Sequence, residues 1–236
     1  MSTIWQRIGE IAGRVAHGAG MGPAIDRLVE TVSALRRGEM RRRVAFSVAM
    51  IALAAKMAKA DGVVTRSEVD AFRDLFAVPE GEERNVRRLF DLAKQDIAGF
   101  ETYARRIRDL YQEGAEVLAD IVDGLFQIAK ADGVVHDREL GFLARVAKIF
   151  GIGEADFEQI AARHVEVVAR DPYRVLGIPR GASNAEVKRH YRRLVGEHHP
   201  DRLIARGVPE EFVRIANDRL AAINEAYGRI ARERAL

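Results

Sequence analysis

Apolar residues recur at helical spacing along nearly the whole chain, and Pro and Gly fall between the runs; strand-like alternation is almost missing. The pattern predicts an all-α protein. Ile4, Trp5, Ile8, Ile11, Ala12 and Val15 form one stripe of a first helix, which Gly9 and Gly13 weaken and Gly18, Gly20 and Gly22 end. Such a stripe packs on its own protein or makes a peripheral membrane contact, and packing is the simpler expectation. Two later stretches, Val44 to Ala58 and Val117 to Ala129, are nearly all apolar and predict helices buried on most sides. The longest apolar run, Val44 to Ala55, spans 12 residues including Ser47. A membrane-spanning helix needs about 20, so no transmembrane segment is expected. Arg7, Glu10 and Arg14 interrupt the first stripe, so it does not read as a signal peptide.

The two apolar stretches introduce an internal repeat. Lys59-Ala60-Asp61-Gly62-Val63-Val64, with Glu68 beyond it, recurs 71 residues later as Lys130-Ala131-Asp132-Gly133-Val134-Val135 with Glu139. Each copy follows an apolar helix and opens an amphipathic one, carrying Val69, Phe72, Leu75 and Phe76 or Leu143, Val146, Ala147 and Phe150. Thr65 and Glu68 have the spacing of a capping box; His136 takes the place of Thr65 in the second copy, which leaves that box imperfect. The pattern overlays the second half of a calcium loop, but Met57 and Lys59, or Ile128 and Lys130, stand where early acidic ligands are needed. A normal calcium loop is excluded. Pseudo-symmetry could still gather Asp61, Glu68, Asp132 and Glu139 into a four-carboxylate site for a divalent metal, against the plainer reading of helix caps and an acidic patch. Two such turns in an all-helical region resemble the tellurite-resistance TerB-like fold over roughly Arg41 to Arg163. That resemblance implies a pseudo-symmetric helical bundle and a metal or partner role; it does not imply an enzyme.

The C-terminal part carries more specific chemistry. Asp171-Pro172 is a cap followed by Pro at a first helical position. Ser183-Asn184-Ala185-Glu186 is a capping box for a longer helix, with Val187, Tyr191, Leu194 and His198 on one stripe and Lys188, Arg189, Arg192 and Arg193 around it. His199-Pro200-Asp201 should stop that helix in an exposed loop. A last helix should start at Pro209, with Glu210 and Glu211 in its first turn and Phe212, Ile215, Ala216, Ile223, Tyr227 and Ile230 inward. DPYRVLGI, KRHYRRL, HPD and INEAY, in this order and spacing, resemble the J domain of the DnaJ family. The stretch HPDRLIARGVPEEF also resembles the DjlA-type subgroup, in which a TerB-like domain precedes a C-terminal J domain and an N-terminal membrane segment is usual. The resemblance implies a DnaK-class chaperone as partner. Asp201 would pair with a chaperone Arg, His199 and Pro200 would shape the loop, and Lys188, Arg189, Arg192 and Arg193, with Tyr191 among them, would meet an acidic surface. His190, Glu197 and His198 depart from the family pattern.

Composition narrows the rest. The chain has no Cys, which excludes disulfides, thiolate zinc sites and a cysteine nucleophile, and suits a cytoplasmic location. The net charge of +3 divides into +4 from Asp171 onward and −1 before it. Few aromatics accompany the arginines and no recognition motif fits, so nucleic acid is not expected as a partner. No phosphate loop, dinucleotide fingerprint or nucleophile motif is present, so no catalytic residue is assigned. The domains read as an N-terminal amphipathic, Gly-rich segment at 1–39, a TerB-like helical domain at 40–165 and a J domain at 170–236. The leading reading is a J-domain co-chaperone whose first domain recruits a client, a partner or a metal. The alternative is a metal- or partner-sensing stress protein with a vestigial J domain.

Overall fold

The computed structural model describes residues 4–17, 23–61, 78–79, 81–96, 98–111, 115–130, 133–165, 171–206 and 213–236. Among them are twelve helices and no strand. In chain order these are α1 (Ile4–His17), α2 (Ala24–Ser33), α3 (Glu39–Asp61), α4 (Glu83–Gln95), α5 (Phe100–Leu110), α6 (Ala115–Ala129), α7 (Asp137–Phe150), α8 (Glu154–His164), α9 (Pro172–Leu176), α10 (Asn184–Glu197), α11 (Pro200–Arg206) and α12 (Val213–Arg234).

The two apolar stretches become α3 and α6, which pack on each other with α4, α5 and α7 around them. Every residue from Val44 to Ala58 is buried, as expected of a helix with no polar face. Its two polar members find partners inside. Ser47 Oγ donates to the carbonyl of Arg43 at 3.1 Å. Lys56 Nζ lies 4.4 Å from the Tyr103 ring centre and donates to the carbonyls of Asp96 and Ala98 beyond the end of α4. The N-terminal stripe packs on its own protein: Trp5, Ile8, Ile11, Ala12 and Val15 are at most 2% exposed and belong to the same core. α1 and α2 are thus built into the bundle. Gly9 lets α1 approach α4 closely, since a Cβ there would stand 2.2 Å from Asn85 Oδ1.

A second, smaller core joins α9, α10 and α12 through Tyr173, Val175, Leu176, Val187, Leu194, Ile223, Ala226 and Ile230. The guanidiniums of Arg180 and Arg234 lie 4.9 and 5.0 Å from the centre of the Tyr173 ring, whose hydroxyl accepts from Arg234 Nε at 2.8 Å. Arg234 also donates to the carbonyls of Arg180 and Ala182, fixing the turn before α10. The expected loop at 199–201 is instead the start of α11. Pro200 occupies its first position, where a fixed φ fits and a missing N–H costs nothing. The start expected at Pro209, and Phe212, lie outside the described residues.

The two parts are docked. Gln159 Nε2 on α8 donates to the Leu176 carbonyl at 3.0 Å, beneath Gly177, whose φ of +68° ends α9. A Cβ on Gly177 would stand 2.7 Å from the Gln159 side chain, which would have to shift away from the Leu176 carbonyl. Leu203 of α11 and Ala216 of α12 are buried in the core of the first part, not in that of the second.

Candidate functional site

The tripeptide 199–201 lies at the junction of α10 and α11. His198 ends α10, its N–H donating to the Leu194 carbonyl at 2.9 Å. His199 Nδ1 accepts from the Asp201 N–H at 3.3 Å and stands 3.5 Å from Asp201 Oδ2. The His199 side chain is 53% exposed and that of Asp201 86%. A carboxylate so placed is hydrated and available to a cation on another molecule.

The preceding helix follows from its sequence. Ser183 Oγ accepts from the Glu186 N–H at 3.3 Å, and Glu186 accepts from the Ser183 N–H at 2.7 Å, so the capping box is closed. These hydrogen bonds from Ser183 hold the exposed Glu186 carboxyl below its ordinary pKa. Val187 and Leu194 face the core, which turns Arg189, Arg192 and Arg193 outward along a stripe that runs toward His199. Among the described residues Lys188, Arg189 and Arg192 form no ion pair, whereas Arg193 holds Glu197 at 2.9 and 3.0 Å. Tyr191 also packs within the hairpin. Its ring stacks on Tyr227 at 4.0 Å and its hydroxyl donates to Asn224 Oδ1 at 3.0 Å. His190, a departure from the family pattern, donates from Nε2 to the Leu176 carbonyl at 2.7 Å and accepts at Nδ1 from Arg193 at 3.1 Å. Burial lowers its pKa.

Behind this surface lies a buried charge cluster. Asp123 Oδ1 accepts from Arg163 Nη2 at 2.8 Å, Arg163 Nε at 3.2 Å and His164 Nε2 at 3.1 Å; Oδ2 accepts from Arg219 Nε at 3.0 Å and Nη2 at 2.9 Å. Arg219 Nη1 donates to Asp120 Oδ1 at 2.9 Å and lies 3.0 Å from His198 Nδ1. A guanidinium can only donate, so His198 Nδ1 is the acceptor. None of these side chains except His198 is more than 4% exposed. Two carboxylates and two guanidiniums balance, with His164 neutral. Burial works against each charge. At Asp123 the cations outweigh it and hold the pKa well below the usual range, and at Arg219 Asp123 and Asp120 raise it. At Arg163 and His164 burial prevails and lowers both. The sequence reading missed this cluster. Its available signal was Asp120 and Asp123, one turn apart in a mostly apolar helix, and Arg219 on the stripe of Ala216 and Ile223.

The repeated turn is described in part. Glu139 is 3% exposed and accepts from the His136 N–H at 2.9 Å, the half of a capping box expected from its position. The Asp61 side chain, Glu68 and Asp132 lie outside the described residues, as does the first capping box at Thr65. Among the described residues no three His, Asp or Glu side chains gather as a metal site. Nor, among them, is any helix long and apolar enough to cross a membrane.

Residues 47–162 match the family described as Tellurite resistance protein TerB, and residues 171–233 match the DnaJ domain. Proteins named Co-chaperone protein DjlA resemble the chain over most of its length. That of Photobacterium profundum is 30% identical over 227 aligned positions, covering 84% of this chain and 81% of the relative. That of Coxiella burnetii is 28% identical, covering 76% and 74%, and that of Vibrio vulnificus is 26% identical, covering 94% and 85%. No solved structure matches the chain. Two domains in this order, an exposed His-Pro-Asp turn beneath a cationic helix, and relatives alike over most of their length agree: the chain belongs to the DjlA family of J-domain co-chaperones.

Proposed function

We propose that this co-chaperone stimulates ATP hydrolysis by a DnaK-class chaperone through His199, Pro200, Asp201 and the free cations of α10. The observation that carries the reading is the exposed Asp201 carboxylate in the first turn of α11, at the end of the stripe of Arg189 and Arg192. Asp201 pairs with a chaperone guanidinium. His199 shapes the turn through its contact with the Asp201 N–H, and Pro200 sets the start of α11. The stripe meets an acidic surface, which gives fast, weak, salt-sensitive encounters. The first domain recruits a client, a partner or a divalent metal, in the cytoplasm. The test is the steady-state ATPase rate of a DnaK-class chaperone with the wild type, Asp201→Asn and His199→Gln. Stimulation by the wild type that both variants lose is expected. A folded wild type that stimulates none of several such chaperones would sink the reading.

A further inference from the structure

The turn that carries His199, Pro200 and Asp201 is held on both flanks by the other domain. On its N-terminal side, His198 accepts from Arg219, and Arg219 is fixed by Asp120 and Asp123 of α6. On its C-terminal side, α11 sends Leu203, 1% exposed, into the core of the first domain. α11 also packs on α12 within the J domain, but the core of that domain is made by α9, α10 and α12 without Leu203 or Ala216. Between the anchors, His199 and Asp201 stay exposed. The first domain therefore grips the turn from behind and leaves its recognition face open.

The form of the grip is suited to setting geometry. Arg219 meets Asp123 side-on through Nε and Nη2 while Nη1 reaches Asp120 and His198, so one planar fork fixes the position of α12, α6 and the end of α10 together. Burying four charges gains little over an apolar contact of the same size, but a fork of this kind permits a single arrangement. A short helix of seven residues has little capacity to hold itself. Its backbone bonds begin at the His199 carbonyl, which accepts from the N–H groups of Arg202 at 2.9 Å and Leu203 at 3.4 Å. Whatever fixes Leu203 thus fixes His199.

We propose that the first domain is a positioning scaffold for the chaperone-binding turn, with Arg219, Asp120, Asp123 and Leu203 as positioning residues that act through His198 and α11. The proposal rests on the ATPase-stimulating role stated above. Holding the turn in its bound shape before encounter removes an ordering cost from the encounter itself.

The test uses the full chain and two readouts, amide hydrogen exchange at residues 198–206 and the co-chaperone concentration that gives half-maximal stimulation of the chaperone ATPase. Asp120→Asn and Leu203→Ala are compared with the wild type; neither residue belongs to the exposed recognition face. Exchange at 198–206 is expected to speed up about tenfold while amides of α10 and α12 keep their protection, and the half-maximal concentration to rise about fivefold. Unchanged exchange at the turn, or faster exchange with an unchanged stimulation curve, overturns the proposal. Should protection vanish throughout either variant, Arg219→Lys, which keeps the charge and loses the fork, decides by the same two readouts. A wild type that stimulates no chaperone fails the co-chaperone reading itself. A wild type that stimulates, with variants that do so equally, fails the positioning role alone.

Discussion

A carboxylate in the middle of an apolar helix must find cations or give up its charge. Asp123 finds two guanidiniums and an imidazole, and the imidazole sets a pH dependence. His164 is stacked on Phe126 at 5.2 Å, and burial holds its pKa below the ordinary 6.5. Below that pH the unfolded chain binds a proton that folded His164 refuses, so stability is full above pH 6.5 and declines as pH falls beneath it. His190 is lowered in the same direction and adds to the decline. Asp123 acts later, losing its contribution only as pH falls below the ordinary 3.8 toward its depressed value. The melting temperature should fall between pH 7 and pH 5, and His164→Gln should shrink that fall without abolishing it. An equal fall in the variant would mean that His164 takes no part in it.

At the scale of elements, α10 shows how a local signal places a functional surface. The capping box at Ser183 fixes where the helix begins, and that start fixes which positions face the core and which face solvent. Ser183→Ala should destabilise the J domain by about 1 kcal/mol, read by denaturant titration, because the Glu186 N–H loses its partner. The recognition face stays intact, so saturating stimulation of a chaperone should be retained. α1 makes the opposite point. Its amphipathic stripe is equally clear, yet the stripe does not say what it packs against; the fit of Gly9 over Asn85 does.

In the whole molecule the two domains share an interface of charges, apolar contacts and a side-chain-to-carbonyl hydrogen bond across α6, α8, α9, α11 and α12. Such an interface couples their unfolding. The chain has a single tryptophan, Trp5, buried in the first domain, so its fluorescence reports on that domain, whereas circular dichroism reports on all the helices. The two probes should give coincident denaturation midpoints for the wild type. Separate midpoints would show that the domains unfold independently and that the interface adds little to stability.

Much of this was written in the chain. Helical periodicity, the 71-residue repeat, the capping box and the order of DPYRVLGI, KRHYRRL, HPD and INEAY were local or nearly local patterns. Helix start, apolar face and motif spacing depend on residues within a few turns of one another, so one dimension is enough to hold them. Other features were decided in three dimensions. Pro200 could end one helix or begin the next, and the packing of Leu203 accompanies the second. Tyr191 reads as one more member of a basic face until Tyr227 and Asn224 arrive from 33 or more residues away. Asp120 and Asp123 are conspicuous in an apolar helix, but their partner Arg219 lies 96 or more residues on, where its place on an apolar stripe does not say which carboxylates it meets. Pairing across that separation depends on how two domains dock, and docking is set by the summed shape and charge of both surfaces, to which no short stretch of sequence corresponds.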